Sequence, residues 1–341
     1  MNLNNLKYCF IANYVIIYID FCRAICYHRI MSKIKVAVIG TGYLGSLHAQ
    51  IYKQTENCSL EAVCDINTAR LNEVSSSLGV KAYADFRDLY GNVDAVSIAV
   101  PTKFHFPVAR ACLQHGIDIL VEKPFTERLG QADALIRVAE KNNCILQVGH
   151  VERFNAAFSA AQSYFHDPYF IECHRLSLFP NRSLDVGVVL DLMIHDIDIV
   201  LGLVKSDIKR IDAVGVNVLT PFEDIANARL TFKNGCVCNL TASRISDETM
   251  RKIRIFLKGA YISLDYKNEQ ASIYRKSAQG ISKEDLPIEK EQPLQKELAS
   301  FIDCVTHRRQ PLVTGPIARE ALRVALKIRD KIWKKTKPYS L

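Results

Sequence analysis

From Ile34 onward the apolar positions fall into short runs separated by amphipathic stretches. Ile34 to Ile39 (IKVAVI), Leu60 to Cys64, Val93 to Val100, Asp118 to Val121 and Cys144 to Val148 are mainly apolar or β-branched, as strands buried on both faces tend to be. Between them, Tyr43 to Gln54, Ala69 to Leu78, Pro107 to His115 and Leu129 to Lys141 can be helical. Strand and helix in repeated alternation predict a parallel sheet covered on both faces. After about residue 165 the rhythm changes to longer alternating strands: Tyr169 to Phe179, Ile208 to Leu219, Ala226 to Phe232, Val237 to Ser243, Lys252 to Leu257, Tyr261 to Tyr266 and Ser272 to Tyr274. Lys233-Asn234-Gly235 between two of them is a hairpin signal. Val188 to Leu203 predicts a helix that interrupts these strands, and Leu294 to Thr306 and Pro316 to Lys335 predict two that close the chain.

The fold class is therefore α/β, with a parallel-sheet domain over 31–150 and an α+β domain of mostly antiparallel strands over 151–341. The last helices could pack back on the first domain. The first thirty residues differ from the rest of the chain. Their apolar run from Tyr8 to Ile19 is interrupted by Asn13 and ended by Asp20, too short for the roughly 20 residues that span a bilayer. No small-x-small cleavage site comes after it. Met31 stands immediately before the first strand, so the expectation is that the natural chain starts there and that 1–30 is an upstream extension.

Composition narrows the class without deciding the function. Apolar residues at 49% and charged residues at 23% exclude a disordered, collagen-like or coiled-coil chain. Eleven cysteines with no C-x-x-C read as reduced, mostly buried thiols in the cytoplasm. Cys236 and Cys238 share a strand face but make only half a zinc site. Of the net charge of +8, six charges lie between Arg319 and Leu341. Arg319, Arg323, Lys327 and Lys331 repeat at i, i+4, with Leu322, Ala325, Ile328 and Ile332 on another face. A solvated helix face is one reading, and an anionic membrane surface or nucleic acid the other. Without interleaved aromatics no nucleic acid is expected, and no stable membrane insertion.

Gly40-Thr41-Gly42-Tyr43-Leu44-Gly45 follows the first strand and opens a helix, and Asp65 ends the next strand 20 residues beyond Gly45. G-x-G-x-x-G is weak alone, but this is the context a dinucleotide site requires. Gly40 would make the tight turn, Gly42 would let N–H groups approach a pyrophosphate, and Gly45 would allow close helix packing, with Tyr43 and Leu44 in the same loop. Asp65 would accept the adenosine ribose hydroxyls. Its charge repels a 2′-phosphate and Ile66-Asn67 supplies no arginine, so NAD is expected over NADP. Pro101, Thr102 and His105 follow one strand, and Glu122 and Lys123 with Pro124 follow another, at the carboxyl ends where ligands lie. There Lys123 could bond a reacting hydroxyl, or with Glu122 merely cap a strand at the surface. Asp191 and His195 stand at i, i+4, with Asp198 a turn further on, among Leu190, Met193, Ile194, Ile197 and Val200. On residue type alone, a satisfied core histidine and a general base both remain open.

These motifs, together with Gln147 to Asn155 (QVGHVERFN) and Asp191 to Asp198 (DLMIHDID), resemble in order and spacing the glucose-fructose oxidoreductase/inositol dehydrogenase (Gfo/Idh/MocA) family. The resemblance runs from Ile34 to the last helix. It implies an N-terminal Rossmann domain, a C-terminal domain with an open sheet, and NAD(P)-dependent oxidation or reduction of a sugar-like CH–OH group. Lys123, Asp191 and His195 match the family's catalytic lysine, aspartate and histidine. On that match, a hydride passes from a secondary alcohol carbon to nicotinamide C4, with His195 the base and Lys123 polarising the substrate oxygen. Asp191 orients the substrate or the histidine, and Lys123 and His195 could exchange roles. Val100 departs from the pattern, since many members place threonine before the proline. A nucleotide-sensing regulator without turnover would be expected to lose these three groups, which are all present. No metal is expected: His150, His195, Asp191 and Asp198 form no H-x-x-H or compact carboxylate cluster.

Within the family, VGHVERFN and the run from Phe179 to Asp191 are similar to members that oxidise the 3-hydroxyl of UDP-N-acetylglucosamine ahead of amination in lipid A biosynthesis. That implies a sugar-nucleotide substrate, with Arg153 and Arg182, and also Arg175 and Arg244, placed to bind phosphate. A free polyol or aldose such as inositol or glucose is the alternative. The family's open sheet face, here VGVNVL (214–219) and ARLTF (228–232), implies a homodimer or homotetramer.

Overall fold

The computed structural model describes residues 33–179 and 185–335. The expectations about 1–30 and about Arg182 lie outside them. The first sheet is built from β1 (Ile34–Ile39), β2 (Cys58–Cys64), β3 (Lys81–Tyr83), β4 (Ala95–Ile98), β5 (Asp118–Glu122) and β6 (Leu146–Gly149). Its order is β3-β2-β1-β4-β5-β6 and its pairings are parallel. The helices α1 (Tyr43–Gln54), α2 (Thr68–Leu78), α3 (His105–Gln114) and α4 (Leu129–Lys141) connect the strands. The chain reverses direction across the sheet between β1 and β4, which opens a crevice at their carboxyl ends.

A short helix, α5 (Ala156–Ala161), leads into the second sheet. Its strands are β7 (Phe170–Leu176), β8 (Ile208–Val216), β9 (Ile225–Phe232), β10 (Val237–Ser243), β11 (Met250–Leu257), β12 (Ala260–Asp265), β13 (Gln270–Ser277) and β14 (Gly280–Asp285). The order is β14-β13-β12-β11-β7-β10-β9-β8, antiparallel except where β7 pairs with β10. The expected turn joins β9 to β10, with Gly235 at φ +91°. Alternation sets the two faces. Ile211, Ala213, Ala228, Leu230, Leu240, Ile253 and Ile262 point into the core. There they share one apolar cluster with Ile197 and Val200 of α6 (Ile194–Val204) and with Leu322, Ala325 and Ile328 of α8 (Gly315–Lys335). The other face carries Val214, 58% exposed, with Val216 and Ile225, and a row of rings, Phe170, Phe256, Tyr261 and Tyr274, with neighbouring centroids 4.3–5.5 Å apart.

The helix α7 (Pro293–His307) packs on the first sheet, its Leu298, Phe301 and Val305 clustering with Ile34, Val36, Val38, Ala49 and Tyr52. The basic repeat on α8 is partly neutralised: Arg319 pairs with Asp133 at 2.9 Å, and Arg323 pairs with Glu320. Among the described residues no helix is long and apolar enough to cross a membrane. The cysteines among them are free thiols, all buried but Cys144.

Candidate functional site

The first wall of the crevice is the glycine loop. Gly40 sits at φ +97°, and a Cβ there would lie 2.5 Å from the Ala99 carbonyl oxygen. A Cβ on Gly45 would lie 1.8 Å from the Gly40 oxygen, so loop and helix touch backbone to backbone. Around Gly42 the space is open. The α1 N-terminus has no side-chain cap and no acidic residue in its first turn, which leaves its N–H groups to an anion.

Asp65 does more than its position at the end of β2 suggested. One carboxylate oxygen accepts from the Thr41 amide at 2.6 Å and the Thr41 hydroxyl at 2.9 Å, and the other from the Asn67 amide at 2.8 Å. It clasps the glycine loop while retaining acceptor capacity for ribose hydroxyls. Ile66 beside it is 85% exposed, an apolar platform of the kind a base needs. Asp65→Ala should weaken NAD binding and relax discrimination against NADP. Titration of both cofactors checks this, and a wild type that already prefers NADP would overturn the reading.

The second wall comes from β4 and β5. Pro101 and Thr102 lie at the surface of the crevice, in a turn that follows β4. His105, expected at the cofactor, is instead enclosed. Its ring nitrogens lie 2.9 Å from the carbonyl oxygens of Val100 and Pro124, and burial pushes its pKa down. It sits between the two segments, and as a neutral imidazole it donates its one N–H to one of these carbonyls at a time. Lys123 projects from the end of β5, its side chain 19% exposed. Its Nζ donates to Asp191 Oδ1 at 2.7 Å and to the Asp191 carbonyl at 2.8 Å. An ammonium has three hydrogens, so one remains for a substrate oxygen.

That geometry corrects one expectation about the helix motif. Val189–Met193 is a π-helical turn, and regular α6 starts only at Ile194. The extra residue rotates Asp191 away from an ideal i, i+4 relation. Its carboxylate therefore serves Lys123, and Asp191 and His195 do not bond to each other. His195 is buried with Nδ1 unpartnered. Burial, reinforced by Lys123, Arg175, His150 and Arg251, drives its pKa well below the ordinary imidazole value. Its imidazole is therefore neutral at physiological pH, the form that can accept a proton. Sequence reasoning gave His150 no part in the chemistry. Its ring stands edge to face on His195, centroids 6.0 Å apart, and burial keeps it neutral too. Its place directly after β6 was the available signal.

The arginines are also corrected. Arg153 forks onto Asp198, with Nε 2.6 Å from Oδ2 and Nη2 3.1 Å from Oδ1. Arg175 bridges Glu152 at 2.6 Å and Asp196 at 2.7 Å. Arg244, fully buried, reaches Asp224 at 2.9 Å. In each case a carboxylate already occupies guanidinium donors that were expected to face phosphate. No cluster of three or more metal-ligating side chains occurs among the described residues.

A reversing parallel sheet with an uncapped glycine loop, set beside a second open sheet, defines an NAD-binding oxidoreductase. A family model described as an oxidoreductase family with an NAD-binding Rossmann fold matches residues 34–150, and the GFO/IDH/MocA C-terminal domain matches 148–263. The UDP-N-acetylglucosamine 3-dehydrogenase of Acidithiobacillus ferrooxidans is 38% identical over 306 residues, covering 88% of this chain and 97% of that protein. A solved structure under that name and from that organism matches with a TM-score of 0.84 at 38% identity, covering 88% and 98% of the two chains. The myo-inositol 2-dehydrogenase of Thermotoga maritima is 30% identical over 229 residues, covering 62% and 68%. The chain belongs to the Gfo/Idh/MocA family of NAD-dependent dehydrogenases that act on CH–OH groups.

Proposed function

We propose that the protein oxidises the 3-hydroxyl of UDP-N-acetylglucosamine with NAD, giving a 3-keto sugar nucleotide ready for amination on the way to lipid A. The observation that carries this reading is the 38% identity to an enzyme of that name along nearly its whole length. In this reading the cofactor lies on residues 31–150 and the sugar nucleotide on 151–341, in a cytoplasmic enzyme. NAD supplies the hydride acceptor. The glycine loop and Asp65 hold its adenosine half, with Pro101, Thr102, the backbone of Glu122 and Lys123 along the nicotinamide side. The free hydrogen of Lys123 Nζ holds the reacting oxygen, and the Lys123 charge stabilises negative charge developing there. His195 takes the hydroxyl proton at Nε2, since Nδ1 is the enclosed nitrogen. Asp191 anchors the lysine. With Arg153, Arg175 and Arg244 already paired, Arg182 is the remaining candidate of the four for the pyrophosphate.

Steady-state NADH formation tests the substrate. It should appear with UDP-N-acetylglucosamine and not with free N-acetylglucosamine or inositol. Activity confined to inositol would replace the substrate while leaving the dehydrogenase intact.

The lowered pKa of His195 fixes the sign of the pH dependence. A base must be unprotonated, so kcat/KM should fall on the acid side, with a midpoint below the free-imidazole value of about 6.5. An acid limb centred above 7 would exclude a neutral buried imidazole as the base.

The exposed face of the second sheet supports a homodimer or homotetramer, because Val214, Val216 and the row of rings are apolar surface that a monomer leaves wet. A single monomeric boundary in sedimentation at micromolar concentration would contradict that assembly.

A further inference from the structure

His48 is closed off from the crevice, yet it touches the second wall from behind. It lies on α1, fully buried, one turn after Gly45. Its Nδ1 is 2.7 Å from the Ser97 hydroxyl oxygen on β4, and its Nε2 is 3.3 Å from Glu122 Oε1 at the end of β5. The second distance is ion-pair reach rather than an aligned hydrogen bond. Glu122 immediately precedes Lys123 and folds back so that the Lys123 amide donates to its Oε2 at 3.3 Å. On the far side a Cβ on Gly149 would fall 2.7 Å from Oε1, so β6 leaves room for this carboxylate only because the residue is glycine. The Glu122 carboxylate is thus wedged between the cofactor helix, β6 and the backbone of the lysine.

We propose that His48 is a positioning residue for the dehydrogenation: by holding the Glu122 carboxylate, it fixes the Lys123 backbone relative to the helix whose N-terminus takes the pyrophosphate. The inference rests on the reading of Lys123 as the residue that holds the reacting oxygen. A serine hydroxyl donating to Nδ1 leaves the imidazole hydrogen on Nε2, facing the carboxylate. Replacing both partners of a buried polar contact by apolar groups can be nearly neutral for the fold, whereas removing one partner strands the other. Its contribution here is geometric.

The groups that face Glu122 agree with this. Burial opposes its ionisation, but His48, Lys123 and His105 outweigh burial and hold its pKa below the ordinary value. Glu297, from α7, is the other carboxyl nearby. Burial and the Glu122 charge push it well above its ordinary range, so it stays neutral and does not compete for His48. Tyr52, one turn further along α1, is driven up by burial and stays protonated.

Two amides separate the contacts of the ring. His48→Asn places its amide near the old Nδ1 and cannot reach Glu122, while His48→Gln places its nitrogen near the old Nε2 and can. Both are measured on the full chain with UDP-N-acetylglucosamine and NAD, alongside wild type and Lys123→Met. His48→Asn should lower kcat by about 10- to 100-fold, the scale of a small misplacement of a reacting group, with the Kd for NAD changed less than about 3-fold. His48→Gln should recover most of kcat. The proposal is overturned if His48→Asn keeps its turnover, if its whole loss lies in NAD affinity, or if His48→Gln is equally impaired. An inactive wild type or a fully active Lys123→Met would instead remove the underlying assignment of substrate or lysine.

Discussion

Lys123→Met should lower turnover by about 10²-fold or more while leaving NAD affinity nearly intact. Methionine keeps most of the volume and the unbranched stem, and removes only the charge and its hydrogens. The ammonium has two hydrogens committed to Asp191, and in the proposed mechanism the third is the one that holds the substrate oxygen. The glycine loop and Asp65 are separate from it and should bind the adenosine half as before. His195→Ala should fall by a similar factor, with its loss in kcat rather than in NAD affinity, because it removes the proposed proton acceptor. Single-turnover rates and cofactor titrations on both variants measure this. Full activity in either would take that residue out of the mechanism.

The second large effect is on stability. Arg175→Met should destabilise the protein by about 3–5 kcal/mol, because it strands the carboxylates of Glu152 and Asp196 in the interior. Both are buried, and Asp196 lies on α6 one residue after His195. Denaturant unfolding should show the loss, while the Michaelis constant for the sugar nucleotide, taken where the variant is folded, should stay near wild type. A stable variant with a tenfold higher Michaelis constant would return Arg175 to the substrate.

The contrast between these two residues shows where the sequence was legible. Strands such as IKVAVI announce themselves because burial on both faces demands a mainly apolar run, here broken only by the exposed Lys35, and the glycine loop because only glycine fits at Gly40 and Gly45. β3 has only three residues, and β14 (GISKED) is exposed at every position, so neither leaves an apolar pattern. The family's spacing pointed to Lys123, Asp191 and His195, but not to the pairing of Lys123 with Asp191. Hydrophobic periodicity does not reveal a π turn, and that turn is what hands Asp191 to the lysine. The arginines misled for a related reason. Their partners lie far along the chain, as Arg153 and Asp198 do across 45 positions, and a single sequence displays charges without their pairings.

The most direct measurement tracks the hydrogen. UDP-N-acetylglucosamine carrying deuterium at C3 of the sugar, turned over with unlabelled NAD, should yield deuterated NADH and an unlabelled 3-keto product, with the rate slowed where hydride transfer limits it. NADH that forms without deuterium would place the oxidation at another carbon, and no NADH from this substrate, with turnover of a free polyol instead, would contradict the assignment.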